Sequence, residues 1–120
     1  MFWIPSHLTF YLFVQPADLR KAFDGLSGLV ISELGQNPLS GDVYVFLNKR
    51  RNRIKLLLWD GDGFWLFYKR LEKGTFQLPA NCLQSTSTVL AYDELLMIIK
   101  GIDLNSIKRR PRFHQQALSA

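Results

Sequence analysis

The residue pattern supports an α+β domain, with an antiparallel β-meander sheet packed on one face by a long N-terminal helix and followed by a short C-terminal helix. Three observations point to it. The runs Val43–Asn48, Arg53–Trp59 and Phe64–Leu71 are dense in strand-forming side chains, and short turn-forming gaps separate them. Ahead of them, Leu19, Phe23, Leu26, Val30 and Leu34 recur at spacings of four, three, four and four, the apolar stripe of a helix. After them, Tyr92, Leu95, Leu96 and Ile99 mark one side of a second helix over about Ala91 to Lys100.

Taken in order, His7 to Val14 is short and rich in aromatic and β-branched residues, which suits a strand. Gln15-Pro16-Ala17-Asp18 opens the first helix, because proline is tolerated in a first turn and an acid there complements the helix dipole. Gly35 stops that helix, and 36–41 is loop chemistry. Lys49-Arg50-Arg51-Asn52 makes the first hairpin tip. Asp60-Gly61-Asp62-Gly63 makes the second, with glycines for the positive φ of a tight turn. Thr75 to Leu78 is a candidate edge strand, and the polar stretch Asn81 to Thr88 reads as a linker. Gly25 and Gly28 lie in the helix stripe as close-packing positions. The expected division is a single domain over 1–106 and a basic, mobile tail over 107–120.

Loop length sets the pairing. A four-residue first tip places Val45 opposite Leu56, and a two-residue second tip places Leu58 opposite Trp65. One face then holds Val43, Val45, Leu47, Ile54, Leu56, Leu58, Trp65 and Phe67, which the long helix is expected to cover. The opposite face mixes Tyr44, Phe46, Trp59, Phe64 and Tyr68 with Arg53, Lys55 and Arg70. Two readings of that face stay open. Rings there could stack on bases while cations meet phosphates. Alternatively the second helix, the first strand or a second copy of the chain covers it, with the cations at the rim.

Charge sharpens the first reading. The 120 residues carry 15 Lys+Arg against 10 Asp+Glu, a net charge of +5 and a pI near 9.6, which favours a polyanionic partner. Lys49, Arg50, Arg51, Arg53 and Lys55 put five cations into seven residues with no acid among them. Such a tip can straddle a phosphate backbone, and Arg70 with Lys108, Arg109, Arg110 and Arg112 extends the surface. The plain alternative is a solvated turn.

Catalysis finds little support. Asp60 and Asp62 could hold a divalent ion, but turn preference accounts for both. His7 and His114 belong to no ligand-spaced cluster, and neither a nucleophile elbow nor a glycine-rich phosphate loop is present. The single Cys82 excludes an internal disulfide and a cysteine-based zinc site. No metal, cofactor or enzymatic activity is expected. The apolar start, Met1 to Val14, lacks a basic lead and is too short for a membrane span, so the reading is a soluble, cytoplasmic chain.

Longer motifs carry a family resemblance. The run Asp18-Leu19-Arg20-Lys21-Ala22-Phe23-Asp24-Gly25-Leu26 is followed by Pro38-Leu39-Ser40-Gly41, Val45-Phe46 and the basic tip. Ile54 to Phe64 (IKLLLWDGDGF), Tyr68 to Phe76 (YKRLEKGTF) and Gly101-Ile102-Asp103 continue it. Over about Val14 to Arg112 the chain resembles the small TnpB-type accessory protein of the IS-sixty-six family of bacterial insertion sequences. The RNA-guided nucleases that share the TnpB label are a different family. The resemblance implies a role in DNA transposition beside a separate, larger transposase that carries the catalytic acids. It supplies no catalytic residues for this chain. The expected partners are therefore DNA and the transposase encoded by the same element, with docking on the transposase through Tyr44, Phe46, Trp59, Phe64 and Tyr68 as the alternative to DNA contact.

Overall fold

Residues 43–70 fold as the loop arithmetic requires. In the computed structural model, which describes residues 4–80 and 85–101, β2 (Val43–Leu47), β3 (Arg53–Trp59) and β4 (Phe64–Arg70) form two antiparallel hairpins. Val45 pairs with Leu56, and Leu58 with Trp65. Both turns are closed by local chemistry. The Asn48 Oδ1 accepts from the backbone N–H of Asn52 at 3.1 Å and of Arg53 at 2.9 Å, while Arg51 N–H donates to the Asn48 carbonyl at 3.0 Å. At the second turn Asp60 N–H donates to the Gly63 carbonyl at 3.0 Å, and Gly61 sits at φ +109°.

The sheet is not a pure antiparallel meander. Its five strands run in the order β4-β3-β2-β1-β5, where β1 is Phe10–Phe13 and β5 is Ser87–Leu90. β1 pairs parallel to β2, with Phe10 beside Val43, and antiparallel to β5, with Phe10 beside Leu90. A parallel neighbour needs a crossover, and the helix α1 (Phe23–Ser32) supplies it.

The first helix is also not long: ten residues rather than the stretch from Gln15 to Leu34. Its upstream part is held otherwise. Asp18 Oδ1 accepts the Arg20 backbone N–H at 3.0 Å and the Asp18 carbonyl accepts that of Lys21 at 3.1 Å, which closes an isolated turn. Local side-chain bonds of this kind compete with helix propagation. Ala22, at φ −113° and ψ −144°, then breaks the helical path. Leu19 is buried all the same, from that turn. Of the two helix glycines only Gly25 is a close approach, because a Cβ there would lie 2.8 Å from Lys21 Cβ, while nothing stands within 4 Å of one at Gly28.

The helices cover the faces opposite to expectation. Leu26 and Val30 of α1 pack with Phe13, Tyr44, Phe46 and Leu57, the aromatic face. The aliphatic face, with Val43, Val45, Leu47, Ile54 and Leu56, is covered by Leu95, Ile98 and Ile99 of α2 (Tyr92–Lys100) and by Leu71, Phe76 and Leu78. The physical reason is the crossover: β–α–β connections to a parallel neighbour are right-handed in nearly all proteins, which leaves α1 one face only. The result is three layers, helix, sheet and helix.

Two smaller expectations also change. Thr75 to Leu78 is not a strand. Phe76 N–H donates to the Arg51 carbonyl at 2.6 Å and its ring plugs the core beneath the first turn. The linker read over Asn81 to Thr88 overlaps β5, whose Ser87 and Thr88 pair with Phe13 and Leu12. α2 ends where the pattern placed it, with Gly101 at φ +84°, and its first turn is closed by Ala91 N–H donating to Glu94 Oε1 at 2.8 Å. Cys82, His114 and the tail over 107–120 lie outside the described residues.

Candidate nucleic-acid interface

The β2–β3 turn presents Lys49, Arg50 and Arg53 to solvent, with Arg51 half-buried. Its shape is fixed by side-chain bonds as well as by the backbone: Asn48 Nδ2 donates to Asn52 Oδ1 at 2.7 Å. Arg51 takes φ +56°, a left-handed conformation that a non-glycine residue adopts at a cost. Below the turn, Leu71 N–H donates to the Asn52 carbonyl at 2.8 Å, so the segment after β4 braces it from one side. Ala17 N–H donates to the Leu47 carbonyl at 2.9 Å, which ties the loop after β1 to the other side.

Acids do not neutralise this end. Among the described residues no carboxylate lies within ion-pair distance of Lys49, Arg50, Arg51 or Arg53. Arg70 stands opposite Arg53 in the register of β3 and β4, and pairs with Glu72 at 3.0 Å. The remaining cations of the predicted surface, Lys108, Arg109, Arg110 and Arg112, lie outside the described residues.

Lys55 is placed differently from the rest of its run. It is only 8 % exposed, its Nζ donates to the Lys21 carbonyl at 3.0 Å, and that amine lies 4.9 Å from the centre of the Tyr68 ring. The same side chain that looks like a tip cation in the sequence therefore fastens the segment before α1 to the sheet, with the aromatic ring partly replacing water around the charge.

The predicted partner residues separate into two groups. Tyr44 is 1 % exposed and Phe46 is fully buried, both beneath α1, so neither forms a surface. The Tyr44 hydroxyl donates to the Asn37 carbonyl at 3.1 Å, and burial pushes its ionisation upward. Trp59 and Phe64 are half-buried against each other, ring centres 5.0 Å apart. Tyr68 is 54 % exposed, and Trp65, assigned from alternation to the aliphatic face, is 49 % exposed. Trp65 stands on β4, an edge strand of the sheet. Its indole N–H donates to Asp60 Oδ2 at 2.5 Å.

That bond lowers the Asp60 carboxyl below its ordinary range, while the hydrogen bond between the two carboxyls, and then the Asp60 charge, raise that of Asp62. Asp60 is thus engaged within its own hairpin. No group of three or more His, Cys, Asp or Glu side chains gathers anywhere among the described residues.

One pair escaped the sequence reading. Arg20 grips Asp18 through both carboxylate oxygens, Nε to Oδ1 at 2.9 Å and Nη2 to Oδ2 at 2.8 Å. These bonds hold the Asp18 carboxyl down at about 2. The pair lines one wall of a groove of about 320 Å³, and Asn48, Lys49, Arg50, Asn52 and Arg53 line the other. The Asp-x-Arg spacing was visible, but its position beside the basic turn was not.

Fold and surface together define, among the described residues, a small three-layer domain with a mixed sheet and a hydrogen-bonded basic turn whose cations form no ion pair. The chain belongs to the family described as IS66 Orf2 like protein, which matches residues 8–109. Two proteins of Sinorhizobium fredii are similar to it. Uncharacterized protein y4jC is 36 % identical over 97 residues, covering 81 % of each chain, and uncharacterized protein y4hO is 33 % identical over 86 residues, covering 72 % of this chain and 73 % of its own. No solved structure matches. The family is one of accessory proteins associated with the transposition system of insertion sequences rather than of catalysts. No helix among the described residues is long and apolar enough to cross a membrane.

Proposed function

We propose that this chain is a non-catalytic accessory factor that contacts the DNA of an insertion sequence through its β2–β3 turn. The observation that carries this reading is the turn itself: Lys49, Arg50, Arg51 and Arg53 stand on a backbone fixed by Asn48, and among the described residues no acid forms an ion pair with them, the nearby Asp18 being held by Arg20. A turn whose backbone is already hydrogen-bonded loses little backbone freedom on meeting phosphates, and each neutralised phosphate releases counterions. The chemistry is that of backbone contact, which positions a protein on DNA without reading its sequence. Lys55 is not part of this surface, and Arg70 contributes beside Arg53.

The test is a gel shift with element-end duplex and random duplex at two salt concentrations. Binding weakens steeply with salt, and the triple reversal Arg50→Glu, Arg51→Glu, Arg53→Glu abolishes it. Unchanged binding by a folded triple variant overturns the reading.

A second reading has its own observation. Trp65 and Tyr68 expose large rings on the outer strand β4, and exposed rings of this kind are enriched at protein interfaces. In this reading the chain docks on the transposase of its own element through β4, and Trp65→Ser breaks co-purification of the two while thermal unfolding stays that of a folded domain.

A further inference from the structure

Two loops distant in sequence build the groove beside the basic turn. One wall is the segment Ala17–Arg20 after β1, and the other is the turn Asn48–Arg53. Four cations face it, Arg20, Lys49, Arg50 and Arg53, against one carboxylate, Asp18. That carboxylate is already engaged by Arg20 at 2.8 Å. Among the described residues no further carboxylate lines the groove, so the excess of positive charge is left for an anion from outside it.

Both walls are held before any ligand arrives. The Ala17 N–H to Leu47 carbonyl bond fixes the loop to β2, and the Asn48 side chain fixes the turn. Arg20 is the notable case. Its side chain is 90 % exposed, and the paired bonds from Nε and Nη2 to Asp18 orient the guanidinium while leaving Nη1 unspent on them. A guanidinium with a remaining donor edge suits phosphate oxygens, whose geometry matches its planar fork. The groove, of about 320 Å³, is open to solvent, so a phosphate that is part of a longer chain can approach it.

We infer that this groove is a phosphate-binding site, in which Arg20, clamped by Asp18, works with Lys49, Arg50 and Arg53 to hold one phosphodiester group of a nucleic-acid backbone. The inference rests on the proposed DNA contact and adds a residue, Arg20, from a separate loop. It is a statement about a backbone phosphate, not about a base.

The test uses the full chain, isotopically labelled, with inorganic phosphate and a short random duplex as separate probes. Phosphate is expected to shift the Arg20 Nε–H signal together with the Asn52 amide signals. For the duplex, Arg20→Ala lowers affinity and reduces the slope of log affinity against log salt by about 1, the loss of one phosphate contact. Arg20→Lys keeps the charge without the fork and recovers the slope but not the full affinity. If phosphate shifts these signals while the duplex does not bind, the groove stands as an anion site and the DNA reading falls. If the duplex binds with an unchanged slope in Arg20→Ala and phosphate leaves Arg20 unmoved, the groove is overturned and the DNA contact stands on the turn alone.

Discussion

Arg53 and Arg70 stand directly opposite each other, register partners on adjacent antiparallel strands. Like charges so placed repel, and Glu72 attends Arg70 only, at 3.0 Å. A chain free to optimise stability alone would set an acid at one of these positions. Arg53→Glu is expected to stabilise the fold by about 0.2–1 kcal/mol in urea unfolding, with a smaller gain at high salt, while weakening DNA binding. A variant that loses stability would show that the repulsion is already relieved by solvent.

Lys55 separates charge count from charge placement. Its amine is committed to the Lys21 carbonyl and the Tyr68 ring. Lys55→Met keeps the apolar stem and is expected to leave the salt slope of DNA binding as in the parent chain. A drop of about 1 in that slope would mean that the amine reaches a phosphate after all.

The buried aromatics answer to stability assays rather than to binding assays. Phe46→Ala, beneath α1, is expected to cost about 3–5 kcal/mol in chemical denaturation. Tyr44→Phe removes only the hydroxyl bond to Asn37 and costs about 0.5–1.5 kcal/mol. A Phe46→Ala chain that unfolds like the parent yet fails to bind a partner would contradict the packing described here.

The Asp18 carboxyl titrates at about 2 because Arg20 donates to it, against an ordinary value of 3.8. Its folded value lies below its unfolded one, so its contribution to stability is complete above the ordinary carboxylate range and is lost as pH falls toward 2. Carbon-detected titration should place the midpoint near 2 in the parent and move it back toward 3.8 in Arg20→Ala. An unmoved midpoint would mean that Arg20 does not hold the carboxylate in solution.

Arg51 tests the turn. At φ +56° a β-branched side chain is strained, so Arg51→Val should cost about 1–2 kcal/mol, whereas Arg51→Gly is tolerated. Equal stability of the two variants would show that the turn adopts another shape.

The hairpins were legible because their information is local. Asn48 to Arg53 and Asp60 to Gly63 carry their own turn chemistry, and an even loop length leaves one parity for Val45, Leu56, Leu58 and Trp65. The clustering of Lys49, Arg50, Arg51 and Arg53 was equally plain, since neighbours on a turn stay neighbours in space. Three matters needed the folded chain. The partner of β1 and the face given to α1 follow from a crossover between segments far apart, whose handedness no periodicity records. The length of α1 was set by the competing turn at Asp18, which an apolar stripe does not register. Arg20 came to face the basic turn, and Lys55 left it, because packing of the loop after β1 against β2 and β3 decides which charged ends meet water.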